Sequence, residues 1–268
     1  MKQVSIVERV ALAIVGLVIM DLAFLNWLAT PARAWDIDKM NAQIDDTNVI
    51  VGQGCSGTVV SIPQRLVVTA FHCVDDLFQE VTERVPDPKT GEIKEVTKQK
   101  LIPLQISMRK VHDYEIVGTE EHRAKIVGSD PLADIALIQV IDVDFKPAEQ
   151  AAIASELYSY ARGQKIYVIG NPSVTFDNSI TEGIISFSQR MIDIGDKRLK
   201  TFQIGVPVIG GNSGGSVRND DGAMIGTLSA GVRGSAVSFA VPISYTRDMI
   251  KKAGFGSILP AEHNDRGH

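Results

Sequence analysis

The stretch Gly211-Asn212-Ser213-Gly214-Gly215 sets a serine hydroxyl among three glycines. Glycine has no Cβ, so backbone N–H groups there can crowd a bound carbonyl. A serine hydroxyl is a weak nucleophile alone and needs a base, which in turn needs an orienting acid. Thr69-Ala70-Phe71-His72-Cys73 supplies a histidine at the end of an apolar run. Asp130-Pro131-Leu132-Ala133-Asp134-Ile135-Ala136-Leu137 supplies an aspartate directly before another. These residue types suit nucleophilic catalysis with the order His, Asp, Ser.

The order separates two folds. Gly211-x-Ser213-x-Gly215 also fits the nucleophile elbow of α/β-hydrolases, which run Ser, acid, His. The histidines after Ser213 are His263 and His268, both in a polar tail. The order His, Asp, Ser is that of chymotrypsin. The flanks agree: Cys55-Ser56-Gly57-Thr58-Val59-Val60, Val67 to Cys73, Ala124 to Asp130, Ile169-Gly170-Asn171-Pro172, Thr181 to Ser186 and Phe239-Ala240-Val241-Pro242-Ile243. Over roughly residues 48 to 252 the chain resembles chymotrypsin-fold (trypsin-like) serine proteases, most closely the bacterial Deg/HtrA-like branch without a PDZ domain.

The resemblance implies His72 as general base, Asp134 as its orienting acid and Ser213 as nucleophile, with the N–H groups of Gly211 and Ser213 as oxyanion hole. Phe71 stands where relatives carry a small residue, a change in packing. Asp134 competes with Asp130, Asp142 and Asp144. It is preferred because Ile135-Ala136-Leu137 would bury its carboxylate beside the imidazole, whereas Asp130 before Pro131 reads as a turn former. His112 and His122, in charged surroundings, read as surface residues. Asn212 cannot pair with a new N-terminal ammonium as an aspartate would, so no trypsinogen-style activation cut is expected.

The resemblance further places a substrate pocket at Pro207, Ser229, Ala230, Gly231 and Ser238. None is charged, so a basic side chain would lack a partner. A small or medium apolar residue is expected there. Ser229 to Gly231 would also present a strand edge to extended substrate backbone.

The elements that must hold these groups are short apolar runs rich in Val, Ile and Thr, separated by Gly, Pro, Asn and Asp. Examples are Gly57 to Ile62, Arg65 to Ala70, Ile135 to Ile141 and Ala223 to Leu228. Such spacing predicts an all-β protein. The resemblance refines this to two six-stranded antiparallel β-barrels of the chymotrypsin type, with the active site between them and a short C-terminal helix. Ile243, Met249 and Ile250 would share an apolar face of a helix over 242–252. A second short helix is expected over 148–158. The expected divisions are 35–47 as an N-terminal extension, 48–150 and 151–254 as the two barrels, and 255–268 as a flexible tail. Residues 75–100 carry a dense charge run around a Pro/Gly turn, read as a solvated hairpin or loop on the His72 side.

Residues 1–34 differ from the rest. Lys2 and Arg9 precede an apolar run from Val10, interrupted by Asp21, and Ala32-Arg33-Ala34 offers a cleavage site. This reads as a secretory signal cut after Ala34. A retained signal anchor is the alternative, since the run is long enough to span a bilayer. Asp21 at its centre would cost about 2.5–3.5 kcal/mol on insertion. A periplasmic or secreted protein is expected, or a membrane-anchored one with the barrels outside the cytoplasm.

The chain has two cysteines. Buried free thiols are one reading. A metal site with His72 lacks a fourth ligand. With an export signal a Cys55–Cys73 disulfide is favoured, and the resemblance implies the same pairing. The formal charge of −5 and the lack of a basic stripe argue against a nucleic-acid partner. No cofactor or metal is expected. The expected activity is that of an exported serine endopeptidase acting as a monomer on peptide or protein substrates. The alternatives are a non-catalytic peptide binder on the same fold and, disfavoured by residue order, an esterase.

Overall fold

A computed structural model describes residues 37–260 apart from 76, 87–90, 102, 114, 175 and 195–196. The segment 1–34 expected as a signal, residues 35–36, the tail 261–268 and parts of the 75–100 charge run lie outside the described residues.

Six strands close the first barrel: β1 (Asn48–Val51), β2 (Cys55–Ser61), β3 (Leu66–Thr69), β6 (Leu104–His112), β7 (Glu115–Asp130) and β8 (Ile135–Val140), in the spatial order β1-β2-β3-β8-β7-β6. Six more close the second: β9 (Lys165–Gly170), β10 (Ser179–Ile194), β11 (Lys197–Gly205), β12 (Ser216–Arg218), β13 (Met224–Gly231) and β14 (Val237–Pro242), in the order β10-β11-β14-β13-β12-β9. All pairings are antiparallel. The all-β architecture expected from the sequence is therefore present.

Strand periodicity explains how the barrels join. Side chains alternate faces along a strand. Val67 and Ile138 point into the first barrel with Val49, Val51, Val59 and Ile106. Their neighbours Leu66, Val68, Ile135 and Leu137 point the other way, into one apolar cluster with Ile166, Val168 and Phe202 of the second barrel. Both faces of β3 and β8 are thus buried, which is why these strands read as unbroken apolar runs. Burial of each such side chain is worth about 1.5–3 kcal/mol. The strands that lead to His72 and away from Asp134 are consequently packed on both faces.

Helix α2 (Ile243–Lys252) buries Ile243, Met249 and Ile250, as its spacing predicts. The helix expected over 148–158 does not form. Ala151 N–H donates to the Val59 carbonyl, Met224 N–H to Ala152 and Ala154 N–H to Met224. Tertiary partners for the backbone outrank local helix propensity here. Residues 255–260 are part of the fold: Phe255, Ile258 and Leu259 pack on the second barrel's core around a 3₁₀ turn at Gly256–Ile258.

Two elements lie outside the barrels. Helix α1 (Ile37–Thr47) runs directly into β1. Strands β4 (Phe78–Pro86) and β5 (Ile93–Leu101) form a separate hairpin after the His72 turn. The hairpin accounts for the charge run, with Arg84 and Glu95 paired across it at 3.0 Å.

His122, expected at the surface, is 5% exposed, and its ring meets Phe145 edge-on at 5.1 Å. Glu121 and Arg123 sit on the opposite face of β7. The alternation carries His122 and Ala124 inward together, and that period outranks the charged neighbours.

Candidate active site

His72 sits in a 3₁₀ turn, Phe71–Cys73, directly after β3. Asp134 ends the turn before β8, with a left-handed φ of 54°. Because β3 and β8 are paired neighbours, the two residues meet. The His72 backbone N–H donates to Asp134 Oδ1 at 3.0 Å. The ring Nδ1 lies 3.0 Å from Oδ1 and 2.9 Å from Oδ2. A carboxylate only accepts, so Nδ1 carries the proton and Nε2 keeps its lone pair. Asp130 Oδ1 accepts from the N–H groups of Leu132 and Ala133, the turn role read from Pro131.

Burial raises the Asp134 pKa, but the hydrogen bond and charge of His72 outweigh it. With the Ser229 hydroxyl and the His72 backbone N–H they hold the carboxyl below its ordinary value of 3.8. The Ser229 hydroxyl donates to Asp134 Oδ2. From the sequence Ser229 is expected only in the substrate pocket and on the strand edge that meets substrate backbone. The bond spans two barrels, and no local pattern announces it.

Cys55 and Cys73 are joined by a disulfide. It ties the start of β2 to the turn that carries His72. Both sulfurs are in that bond, so the close group Cys55, His72 and Cys73 offers no thiolate and does not fit a metal.

Ser213 lies in the loop between β11 and β12. Gly211 has φ +98°, and a Cβ there would fall 2.3 Å from the Asn171 carbonyl. Gly214 has φ +84°, and its Cβ would fall 2.2 Å from both the Ser56 carbonyl and Thr69 Oγ1. Only glycine fits either position. The loop is pinned by Ser56, whose N–H donates to the Ser213 carbonyl at 2.8 Å and whose hydroxyl donates to the Gly211 carbonyl at 2.7 Å. Ser56 Oγ in turn accepts the Asn171 N–H at 2.7 Å. Asn171 Nδ2 donates to the Val49 carbonyl at 3.0 Å, and Asn48 Nδ2 donates to Asn171 Oδ1 at 2.8 Å. Ser56, Asn48 and Asn171 are buried and satisfy one another, so this polar network rigidifies the loop. None of the three was singled out as a site residue in the sequence.

Among the described residues, the N–H groups of Gly211 and Ser213 donate to no backbone carbonyl. Ser213 Oγ makes one hydrogen bond there, to the Ser229 carbonyl at 3.4 Å. The structure thus joins His72 to Asp134, Asp134 to Ser229 and Ser229 to Ser213.

Two cavities open here. One of about 340 Å³ is walled by Ser213, Leu228, Ser229, Ala230 and Gly231. Pro207 and Ser238 are not part of its described lining: Pro207 is exposed, and the buried Ser238 hydroxyl donates to the Val206 carbonyl. Arg233 does line it, so the expectation of an uncharged pocket is corrected. The other, about 410 Å³, lies on the far side of His72 against the disulfide, Leu77 and Leu104.

Comparison with known proteins gives a consistent picture. The chain is 34% identical over 139 residues to a "Serine protease HtrA-like" of Staphylococcus aureus strain MRSA252, covering 48% of this chain and 18% of the relative. The strain USA300 protein of the same description is 35% identical over 138 residues, again covering 18% of its length. The match therefore spans about a fifth of these relatives. By structure, the chain is similar to the MamO protease domain from Magnetospirillum magneticum (apo form), with TM-score 0.58, 16% identity, and 76% of this chain and 95% of that one covered. It is also similar to the serine endoprotease from Yersinia pestis, with TM-score 0.54, 20% identity, and 80% and 66% covered. These two likenesses concern the fold. Residues 55–226 match the family described as "Trypsin-like peptidase domain", which covers more than half of the sequence, and the chain belongs to that family.

Proposed function

We propose that this protein is a serine endopeptidase with His72, Asp134 and Ser213 as its triad. The observation that carries the reading is the His72–Asp134 pair, with Nδ1 protonated and Nε2 the nitrogen that would act as base, in the same site as a serine whose loop holds two backbone N–H donors without backbone acceptors.

A substrate residue P1 places its carbonyl at Ser213 and its own N–H against the Ser229 carbonyl. That N–H competes for the acceptor Ser213 Oγ uses in the free protein, which releases the hydroxyl toward His72. Catalytic hydrogen bonds commonly tighten in this way only with substrate bound. Ser213 Oγ then forms a bond to the carbonyl carbon as its proton moves to Nε2. The carbonyl oxygen takes the negative charge and is held by the N–H groups of Gly211 and Ser213. Collapse breaks the C–N bond, and His72 gives its proton to the leaving amine. Water attacks the acyl-enzyme, its proton passing to His72 and then to Ser213 Oγ as the acid product leaves. Asp134 stays ionised throughout and stabilises the imidazolium.

The protein is also proposed to be exported, with the leader cut after Ala34. The Cys55–Cys73 disulfide supports an oxidising compartment. N-terminal sequencing of the protein recovered from an export host tests the cut.

The non-catalytic reading has one observation in its favour: Ser213 Oγ bonds Ser229 rather than His72. Labelling of the full chain by a fluorophosphonate decides between them. The peptidase reading expects wild type to label, and Ser213→Ala and His72→Ala not to. A folded, disulfide-bonded wild type that stays unlabelled sinks it.

A further inference from the structure

The wall of the 340 Å³ cavity beside Ser213 contains one charged side chain among its described residues, Arg233. The rest is apolar or neutral, including Val208, Ile209, Leu228 and Ala230. Arg233 occupies the turn that joins β13 to β14. That turn is ordered by its own bonds. Ser235 N–H donates to the Val232 carbonyl at 3.1 Å, the Ser235 hydroxyl to the same carbonyl at 2.9 Å, and Val232 N–H to the Val237 carbonyl at 2.9 Å. Gly234 supplies the positive φ of 76° that closes it. The backbone of Arg233 is therefore held at the pocket by a rigid corner, within reach of its own guanidinium. Among the described residues it has no carboxylate partner, unlike Arg84, Arg109 and Arg123. The exposed Arg233 fork is free to pair with a ligand.

The lining is tightly packed between Gly231 and Val208 as well. A Cβ on Gly231 would fall 2.3 Å from Val208 Cγ2, so the strand there leaves room only because residue 231 is glycine. What enters must be a side chain of moderate length, with an apolar stem against Val208 and Leu228 and an end that reaches the rim.

We infer that Arg233 sets the specificity of this site for an acidic P1 residue, glutamate first and aspartate second. The inference rests on the peptidase reading for the name P1, but the pocket's preference is a binding property and is measurable without turnover. Guanidinium presents a fork that matches a carboxylate, and a neutral amide of the same shape gains much less from it. A lysine at P1 would meet like charge and find no carboxylate in the described lining.

The experiment has a binding arm and a cleavage arm, both on the full chain. The binding arm uses Ser213→Ala and peptide amides identical except for a final Glu, Gln or Lys. Glu is expected to bind about fivefold tighter than Gln, the scale of a partly exposed ion pair, and Lys weakest. The margin should shrink when salt is raised to about 0.5 M. Adding Arg233→Ala should bring Glu to the level of Gln, and Arg233→Glu should place Lys above Glu. Equal binding of Glu and Gln, or a Glu preference that survives Arg233→Glu, overturns the inference whatever the cleavage arm shows. The cleavage arm runs wild type on the same P1 series. Glu-selective binding without any cleavage or fluorophosphonate labelling sinks the peptidase reading and leaves the acid-selective pocket standing.

Discussion

The Ser229 hydroxyl donates to Asp134 Oδ2 at 2.5 Å across 95 positions of sequence. Asp134 leads into a strand of the first barrel, and Ser229 lies on β13 of the second. The same residue's carbonyl receives Ser213 Oγ. One side chain and one carbonyl of Ser229 therefore hold the acid and the nucleophile in a fixed relation, although those two residues sit on different barrels.

Replacing Ser229 with alanine keeps the carbonyl and removes the donor. A hydrogen bond to a charged group is worth about 1.5–3 kcal/mol. The peptidase reading then expects kcat/KM to fall by about tenfold or more, with the rate of fluorophosphonate labelling falling in parallel. Unchanged labelling would mean that Asp134 is held by His72 alone.

The Cys55–Cys73 bridge closes a loop of separation 18. The chain-entropy model assigns such a loop about 3 kcal/mol. Cys55→Ala/Cys73→Ala should lower the urea midpoint accordingly. Ser213 labelling should drop at temperatures where the variant is still folded, because the His72 turn loses its tether to β2. Circular dichroism and labelling followed together check both parts.

The Ser56 hydroxyl accepts from Asn171 and donates to Gly211. Ser56→Ala leaves a buried donor and a buried acceptor unpaired, at about 1–3 kcal/mol each. Stability should fall, and kcat should fall while KM changes little, since the defect lies in the loop that would meet the oxyanion. Asn178→Ala, which affects the network beyond Asn48 and Asn171, should lower the melting temperature with less effect on kcat. Equal kcat losses in the two variants would show that the network acts through global stability.

Asp134 is held below its ordinary 3.8 in the folded chain. The unfolded chain therefore takes up this proton first as pH falls. The stabilisation is complete above about pH 4 and disappears as pH drops through the lower folded value. Wild type minus Asp134→Asn, measured as unfolding free energy in urea, should shrink as the pH is lowered into strong acid. A difference that stays flat down to the acid limit would contradict the assignment.

Much of this site is written in short contiguous stretches. Gly211 and Gly214 are demanded by positive φ and by backbone 2.2–2.3 Å from any Cβ, so the loop declares itself locally. Strands β3 and β8 do too, because they must be apolar on both faces to serve two cores, whereas the pairing of strands into two barrels rests on the resemblance. What stays hidden depends on partners far away. Ser229 and Ser56 are ordinary serines until the fold brings Asp134 and Gly211 to them. Arg233 follows the pocket residues by two positions in the β13–β14 turn, and its place in the cavity lining shows only in the fold. Helix α1 had a faint signal in the spacing of Ile37, Met40 and Ile44. Asp45 and Asp46 in its last turn oppose the helix dipole and mask it. The helix expected over 148–158 failed for the converse reason: its carbonyls and N–H groups have better partners in β2 and β13 than in one another.

The hydrogen-bonded run from Asn48 through Asn171 and Ser56 to Gly211 crosses from one barrel to the other before it reaches the nucleophile loop. Parting the barrels removes the seat of the Gly211 carbonyl and separates Asp134 from Ser229 in the same motion. A half-opened copy is the form most open to digestion by its neighbours. On the peptidase reading it is also the form least able to digest them, so loosening would disarm the molecule.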